Sequence, residues 1–119
     1  KWSNEKSLPH IPCVLVEGDF LYLVQDGGIV TTVDRTSGEF AKRARLKSAT
    51  GKYYASPIAA DGKVFLVNTK GAITVLAAGG DWEVLATNEL GEDCFATPAI
   101  WNDFLIVRTE KTIFCFGEE

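Results

Sequence analysis

Few side chains in this sequence are of the types that perform acid–base or nucleophilic chemistry. His10 is the only histidine among 119 residues, and it lies beside Pro9 in a predicted loop. A general base or a nucleophile needs a second residue to orient or activate it. No serine, histidine and aspartate arrangement can be built around one unanchored imidazole. We therefore predict no catalytic residue and expect a protein that is not an enzyme.

The three cysteines, Cys13, Cys94 and Cys115, leave at least one thiol that cannot pair within the chain. None lies in a C-x-x-C motif, and Cys115 stands between two phenylalanines in "IFCFG". A free thiol in such surroundings behaves as a small apolar side chain. We expect buried structural thiols, and a Cys13–Cys94 disulfide stays open as an alternative.

The acidic pairs Glu92-Asp93 and Glu118-Glu119 could contact a cation, but flexible surface carboxylates are usually just solvated. No G-x-x-x-x-G-K-[ST] loop is present, and the glycines of "DGG" and "AAGGD" are typical of hairpin turns. We predict no metal site, no phosphate-binding loop and no bound cofactor.

One basic cluster, "KRAR" followed by Lys47 and Lys52, admits two interpretations. It could bind phosphate groups of a nucleic acid, or it could form a charged outer strand that resists pairing with other sheets. No aromatic residue interleaves the cluster, and the net charge of the chain is −4. We favour the charged strand and expect no nucleic-acid partner.

Three other residues form the candidate binding face. Tyr54 and Phe95 each precede a predicted first strand, where they either contact a partner or cap that strand against its neighbour. Arg108 stands in a predicted inner strand at a place where its copies carry aliphatic residues. A charge there needs a partner or a polar channel. We therefore expect Arg108 to point into a central tunnel.

The strands that must position these residues are predicted by an internal repeat. "YASPIAADG" from Tyr54 returns as "FATPAIWND" from Phe95, and a weaker first copy includes Pro12 and Gly18. A repeat of about 40–45 residues is typical of propeller blades. In each copy, turn residues such as Asp61-Gly62 separate short apolar runs, which indicates a four-stranded antiparallel meander.

The runs differ by their position in the repeat. The second run of each copy, "FLYLV", "VFLV" or "FLIV", is apolar at consecutive positions, as in a strand buried on both faces. The fourth run alternates, and in "FAKRARLK" the residues Phe40, Lys42, Ala44 and Leu46 are expected to share one face. Inner strands between neighbouring sheets and outer strands at the rim are what a propeller requires.

Composition sets the remaining limits. With 46% hydrophobic and 24% charged residues, the chain suits one globular domain. No apolar run is long enough to span a membrane. The chain begins "KWSNEK", without methionine, so we expect a piece of a longer product.

The repeats resemble the blades of PQQ-binding-like β-propellers, the quinoprotein alcohol dehydrogenase-like superfamily. The resemblance covers the chain after about residue 8. It rests on "SPIAADGKVFLVNTKGAITVL" and on "TVDRTSGE", which matches the family's A-x-D-x-x-T-G element through Asp34, Ser37 and Gly38. The family usually carries a tryptophan four residues beyond that glycine, which docks one blade on the next. Lys42 stands there instead, and Trp2 is expected in a docking-type role.

We therefore predict an all-β fold of about two and a half propeller blades. The chain, residues 1–119, would be one partial propeller domain with repeats at 8–51, 52–91 and 92–119. Residues 1–7 would be the outer strand of a preceding blade. The uncovered flanks of such an arc favour self-association. Residues 1–7 could complete the third blade, either within the chain or from another copy.

The resemblance implies two kinds of function. In quinoprotein dehydrogenases, PQQ with Ca²⁺ is stacked by a tryptophan near two adjacent cysteines, and this sequence has no adjacent cysteines. Other members keep the fold without the cofactor, including a propeller lipoprotein of outer-membrane protein assembly and sensor domains of membrane kinases. We expect a non-catalytic module that binds a protein or a small ligand; the alternative is a fragment of a PQQ-dependent oxidoreductase. The relatives imply a periplasmic or extracellular location.

Overall fold

The computed structural model describes residues 1–117, and all regular structure within them is β-strand. Eleven strands form three antiparallel sheets, two of four strands and one of three. Within each sheet, strands that are consecutive in the sequence are hydrogen-bonded neighbours, so every sheet is a meander. The predicted all-β fold with four, four and three strands is confirmed. No helix in this part of the chain is long and apolar enough to cross a membrane.

The sheets are named blade 1, blade 2 and blade 3 in chain order. Blade 1 contains β1 (Leu15–Glu17), β2 (Phe20–Gln25), β3 (Ile29–Asp34) and β4 (Phe40–Arg45). Blade 2 contains β5 (Ile58–Ala60), β6 (Lys63–Val67), β7 (Ala72–Ala77) and β8 (Glu83–Glu89). Blade 3 contains β9 (Ala99–Trp101), β10 (Phe104–Arg108) and β11 (Ile113–Phe116).

Residues that accept a left-handed backbone make the tight turns between first and second strands. In blade 2, Asp61 and Gly62 have φ angles of 51° and 71° and join Ala60 to its cross-strand partner Lys63. Asn102 has a φ of 54° at the same place in blade 3. Aspartate, asparagine and glycine tolerate this conformation best, which explains why the chain carries them here.

The hydrophobic core lies between the blades. In the junction of blades 1 and 2, Tyr22 and Val24 of β2 belong to one cluster with Leu66 of β6. In the junction of blades 2 and 3, Val67 of β6 clusters with Val107 of β10. Leu66 and Val67 are consecutive and each is 1% exposed. The strand β6 is therefore buried on both faces, as its unbroken apolar run predicts.

The fourth strands lie at the rim: the side chains of β4 alternate between blade 2 and solvent, whereas those of β8 are exposed at all positions but one. Ala44 of β4 packs against the core between blades 1 and 2, and Leu46, just beyond the strand, is buried in it. Arg43 and Arg45, which flank Ala44, are exposed. The predicted charged outer strand is therefore the arrangement found for this segment.

Phe40 departs from the predicted alternation. A β-bulge between Thr32 and Val33 shifts the pairing of β3 with β4, so that Phe40 pairs with Val33 while Lys42 pairs with Thr32. Adjacent residues of a strand face opposite sides. The prediction that Phe40 shares the face of Lys42 is therefore wrong, and the Phe40 side chain is 40% exposed. An extra residue in one strand is invisible to a strict two-residue period.

Lys42 makes the contact between blades 1 and 2 at the place of the missing docking tryptophan. Its Nζ donates a hydrogen bond to the carbonyl oxygen of Trp82 at 2.6 Å and lies 4.3 Å from the centroid of the Trp82 ring. Asp81 Oδ1 is 3.7 Å from the same nitrogen. Beside it, Thr32 Oγ1 donates to the carbonyl oxygen of Gly80 at 2.6 Å. Blade 1 thus holds the turn that precedes β8 through a cation and a hydroxyl.

Residues 1–7 form no strand and pair with none of the three sheets. The prediction that they complete blade 3 within the chain is therefore wrong, because they lie beside blade 1. Trp2 packs against Gly38 in the turn between β3 and β4, and its Nε1 donates to the carbonyl oxygen of Arg35 at 2.9 Å. The repeat limits 8–51, 52–91 and 92–119 stay predictions, as does the origin of residues 1–7 in a preceding blade.

Candidate functional site

The candidate site lies at the end of the blades where second strands turn into third strands. We call this end the loop face; it comprises these turns and the loops that join successive blades, namely residues 26–28, 46–57, 69–71, 90–98 and 110–111. Backbone hydrogen bonds tie each joining loop to the turn of the next blade. Thr69 N donates to Lys52 O at 2.9 Å, and Glu110 N donates to Asp93 O at 2.8 Å. The loops are therefore fixed by the blades on either side of them.

Polar side chains at the strand ends complete this network. Asn68 accepts hydrogen bonds at Oδ1 from the amides of Lys70 and Ala72, at 3.0 and 2.9 Å. Its Nδ2 donates to the carbonyl oxygen of Thr50 at 2.7 Å. In the preceding turn, Asp26 Oδ1 accepts from the amide of Tyr53 at 2.9 Å. Asn68 thus satisfies both its own turn and the adjoining loop, and Asp26 satisfies the adjoining loop.

Glu92 links the loop between blades 2 and 3 to the turn of blade 3. Its carboxylate accepts hydrogen bonds from the hydroxyls of Thr112 and Thr109 and from the amide of Lys111, at distances of 2.8 to 3.1 Å. The hydroxyl of Thr112 contributes most to holding the pKa of Glu92 below its ordinary value. Because its oxygens are engaged in structure, we assign the acidic residue Glu92 to loop support.

The two adjacent tyrosines differ in exposure. Tyr53 is fully buried in the core of blades 1 and 2, and its hydroxyl donates to the carbonyl oxygen of Ala49. Burial raises the pKa of Tyr53 well above the ordinary range. Tyr54 points the other way and is 37% exposed. Only the second tyrosine is available to a partner.

Tyr54 and Phe95 come together on the loop face. Their ring centroids are 5.6 Å apart with planes tilted by 55°, which is a favourable aromatic geometry. Phe95 is 53% exposed. The two residues stand at equivalent places, four residues before the first residues of β5 and β9. The repeat therefore places an aromatic ring of blade 2 beside one of blade 3.

Ile11 holds the equivalent position in blade 1 and was missed by the sequence reasoning. It stands four residues before the first residue of β1, where Tyr54 and Phe95 stand in their blades, and it is 49% exposed. The backbone of the same segment is linked from blade to blade: Cys13 N donates to Ser56 Oγ at 2.9 Å. Aligning the first strands of the repeats would have identified Ile11, but its aliphatic side chain concealed the equivalence.

Arg108 lies at the end of β10, where its carbonyl oxygen is 3.3 Å from Sγ of Cys94, the residue that precedes Phe95. It ends β10 opposite Ile113 of β11, and its side chain is exposed. Because the preceding Val107 is buried toward blade 2, Arg108 occupies the face of blade 3 turned away from blade 2. It forms no ion pair with any carboxylate among residues 1–117. Its direction into a central tunnel stays a prediction.

The remaining residues that the sequence suggested as candidates do not come together in one site. His10 is exposed in the segment before β1. In the basic cluster, Arg43 Nε donates to Ser7 Oγ at 2.8 Å and Arg45 Nη1 donates to the carbonyl oxygen of Gly27 at 3.3 Å. Arg45 therefore has a contact within blade 1, and Arg43 contacts the segment that lies beside it. The pair Glu118-Glu119 lies outside the described residues.

The cysteines differ from one another in exposure. All three are free thiols, so the Cys13–Cys94 disulfide that the sequence left open is not formed. The expected burial holds for Cys94, whose Sγ lies 3.3 Å from the carbonyl oxygen of Arg108 and whose pKa is raised by burial. It is wrong for Cys13 and Cys115, which are exposed. Cys115 lies on the uncovered side of β11, where a flanking apolar sequence does not provide burial.

The described residues do not fit a calcium-bound quinone. Such a site needs clustered oxygen ligands for the cation, and no group of three or more histidine, cysteine, aspartate or glutamate side chains within residues 1–117 could hold a metal ion. The three cysteines are separated along the chain and lack an adjacent pair. We therefore derive no reaction step through this cofactor.

A cleft of about 350 Å³ opens between blades 2 and 3, at the end opposite the loop face. Its lining includes the apolar Phe65 and Leu105 and the polar Asp61, Lys63 and Asn102. This volume falls at the low end of the range for small-molecule sites, about 300–1,000 Å³. The sequence reasoning did not identify the cleft, because it depends on how two sheets splay apart.

Comparison with known proteins shows the fold. No protein-family model matches the chain, and no curated protein sequence matches it. Among solved structures, the crystal structure of BamB from Moraxella catarrhalis is similar, with a TM-score of 0.71 and 20% sequence identity. The match covers 87% of this chain and 32% of that one. The chain therefore has the fold of part of a β-propeller, built from three successive blades.

Proposed function

We propose that this chain is a non-catalytic part of a PQQ-like β-propeller that binds a protein partner through its loop face. The observation that carries the proposal is the exposed aromatic pair of Tyr54 and Phe95, held on loops that are hydrogen-bonded to two blades. Aromatic side chains are enriched at protein interfaces because they bury a large area with few rotatable bonds. A rigid scaffold beneath them lowers the entropic cost of binding.

The local structure of "TVDRTSGE" supports the PQQ-like assignment. Asp34 Oδ1 accepts hydrogen bonds from the amides of Thr36 and Ser37, at 2.8 and 2.9 Å, and these hold the pKa of Asp34 below its ordinary value. Gly38, at the end of the element, has a φ of 78° and lies under the Trp2 ring. An aspartate that closes the turn and a glycine that admits a tryptophan explain why the family element needs both residues.

A periplasmic or extracellular location is part of the proposal. It rests on the resemblance of the repeats to PQQ-like propellers, whose members are commonly extracytoplasmic. Such a module would act as one face of a larger assembly, with the blades as scaffold and the loops as contact surface.

The proposal is tested by panning a phage-displayed library of random peptides against the chain. We expect enriched peptides with apolar and aromatic residues, whose binding weakens at least about tenfold in the double variant Tyr54→Ser and Phe95→Ser, the usual size of an interface hot-spot effect. Leu85→Ser is the matched control, since Leu85 is 54% exposed on the outer strand β8. Peptides that bind the double variant as tightly as the parent chain would refute the loop-face assignment.

A further inference from the structure

The outer strand β8 has an open edge at the rim of blade 2. It is the last strand of its sheet, and no other strand of residues 1–117 pairs with its outer side. With seven residues it is the longest of the described strands. None of the seven is lysine, arginine or proline, and Val84 and Leu85 are 49% and 54% exposed. A strand edge of this kind accepts pairing with an added strand.

The corresponding strand of blade 1 is protected against such pairing. Three of the six residues of β4 are lysine or arginine. One of them, Arg43, lies opposite Thr31, as Thr87 of β8 lies opposite Thr74. Charged side chains on an outer strand disfavour edge-to-edge contact. The strand β8 therefore lacks a protection that β4 has.

The hydrogen-bond ladder between β7 and β8 determines which backbone groups face outward. Leu90, just beyond β8, donates its amide hydrogen to the carbonyl oxygen of Gly71 at 2.9 Å. Residues along an antiparallel pair alternately direct their backbone groups toward the neighbouring strand and away from it. Thr87 and Glu89 therefore direct their N–H and C=O groups away from β7. An added strand forms its hydrogen bonds with these two residues.

A groove of about 260 Å³ lies beside Thr87, on the face of blade 2 that is turned toward blade 1. This face is identified by Thr74, which lies opposite Thr87 and on the same side of β7 as the core residue Leu76. The groove is lined by residues 45–48 of blade 1 and by Thr74, Val84 and Thr87 of blade 2. Thr74 is 1% exposed, and its Oγ1 has no hydrogen-bond partner in the described part of the chain. The groove thus combines an apolar wall with a buried hydroxyl that a bound polar atom can satisfy.

The charges around the edge favour particular residues in an added strand. Glu83 and Glu89, at the two ends of β8, are exposed and form no ion pair with a cation of the described residues. Opposite charges on facing strands stabilise their pairing, so a basic residue is favoured opposite Glu89. Lys47, on the other wall of the groove, disfavours a second basic residue opposite Thr87. An apolar side chain suits that place, because Val84 lines the groove.

We propose that β8 binds an extended segment of a partner protein as an additional antiparallel strand. In this segment a basic residue lies opposite Glu89, and an apolar residue two positions away lies opposite Thr87 with its side chain over the groove. Hydrogen bonds to the backbone of Thr87 and Glu89 supply affinity, and the groove and the carboxylate supply specificity. The surface goes beyond the proposed function, because it lies on the rim of blade 2 and not on the loop face.

The proposal is tested by panning the random-peptide library against the double variant Tyr54→Ser and Phe95→Ser, so that the result does not depend on the loop face. We expect enriched peptides with a lysine or arginine two residues from an apolar residue. Their affinity should fall at least about tenfold in Thr87→Arg and in Glu89→Lys, because a cation then opposes the basic segment. Glu110→Lys is the matched control, since it makes the same change of charge at an exposed residue outside β8. Failure to enrich such peptides, or equal affinity for Thr87→Arg and its parent, overturns the proposal.

N-methylated peptides supply a second readout that needs no substitution in β8. An N-methyl group removes a backbone donor, and in an added strand only alternate amides face β8. Methylation of the peptide residues opposite Thr87 and Glu89 should therefore weaken binding at least about tenfold. Methylation of the residue between them should leave the affinity unchanged, because its amide faces solvent. Equal effects at all three positions indicate binding through side chains alone and overturn the proposed strand pairing.

Discussion

Replacing Thr32 by valine removes a single hydroxyl from the contact between blades 1 and 2. The Thr32 side chain is fully buried, and its Oγ1 donates to the carbonyl oxygen of Gly80 at 2.6 Å. Valine has nearly the same shape and is equally suited to a strand, so packing and β-propensity change little. What changes is that the partly buried Gly80 carbonyl loses its donor.

The expected cost follows from that loss. Leaving a buried acceptor without its partner costs about 1–3 kcal/mol of unfolding free energy, and we expect the lower end of that range because the Gly80 carbonyl is partly buried. A typical domain has a total stability of about 5–15 kcal/mol, so the effect is a measurable fraction of it. Thr32→Val is therefore expected to lower the urea midpoint without changing the dependence of the free energy on urea concentration.

The neighbouring residue is a matched control. Thr31 is in the same strand and equally buried, but its Oγ1 has no hydrogen-bond partner among the described residues. Thr31→Val removes a hydroxyl that burial already penalises, so we expect no loss of stability or a gain of up to about 1–2 kcal/mol. Urea unfolding followed by tryptophan fluorescence measures both variants. If Thr31→Val destabilises the chain as much as Thr32→Val, the hydrogen-bond argument is refuted.

Two further predictions concern the loop face. Gly71→Ala should cost at least about 1 kcal/mol more than Gly51→Ala in urea unfolding, because both positions have positive φ but only a Cβ at Gly71 would collide with the carbonyl oxygen of Glu92; equal costs would contradict the crowding. Glu92 has a lowered pKa in the folded chain, so its stabilising effect is complete above the ordinary pKa of glutamate and is lost as pH falls through the lowered value. The difference in unfolding free energy between the parent chain and Glu92→Gln should therefore shrink on acidification, and a difference independent of pH would count against the assigned hydrogen bonds.

The sequence predicted the meander of each blade because the relevant signals are local. Asp61-Gly62 fixes a tight turn through its own backbone preferences, and a run such as Val64 to Val67 announces a strand that must be buried on both faces. The internal repeat strengthened each strand and turn prediction, since a weak pattern in one copy was supported by the same pattern in the next copy. The place of Tyr54 and Phe95 before their first strands could be predicted for the same reason.

The sequence did not predict contacts that depend on how one blade meets another. Tyr53 and Tyr54 are chemically alike neighbours, yet one is buried against Ala49 and the other is exposed. The sequence marked Lys42 as a departure from the family pattern but did not predict its contact with Trp82, which depends on how blades 1 and 2 pack together. Local propensity predicts neither the burial of Tyr53 nor the contact between Lys42 and Trp82.

What the sequence by itself determined is the strand order, the turn chemistry and the repeat, because these depend on φ preferences and on the two-residue period of a strand. Only the tertiary structure decided which surfaces stay exposed. The thiol of Cys115 and the side chain of Ile113 have apolar neighbours in the sequence, but burial requires a covering sheet, and in the described chain none covers β11. Whether a side chain is buried depends on the sheet that packs against its strand. That sheet is distant along the chain or belongs to another molecule.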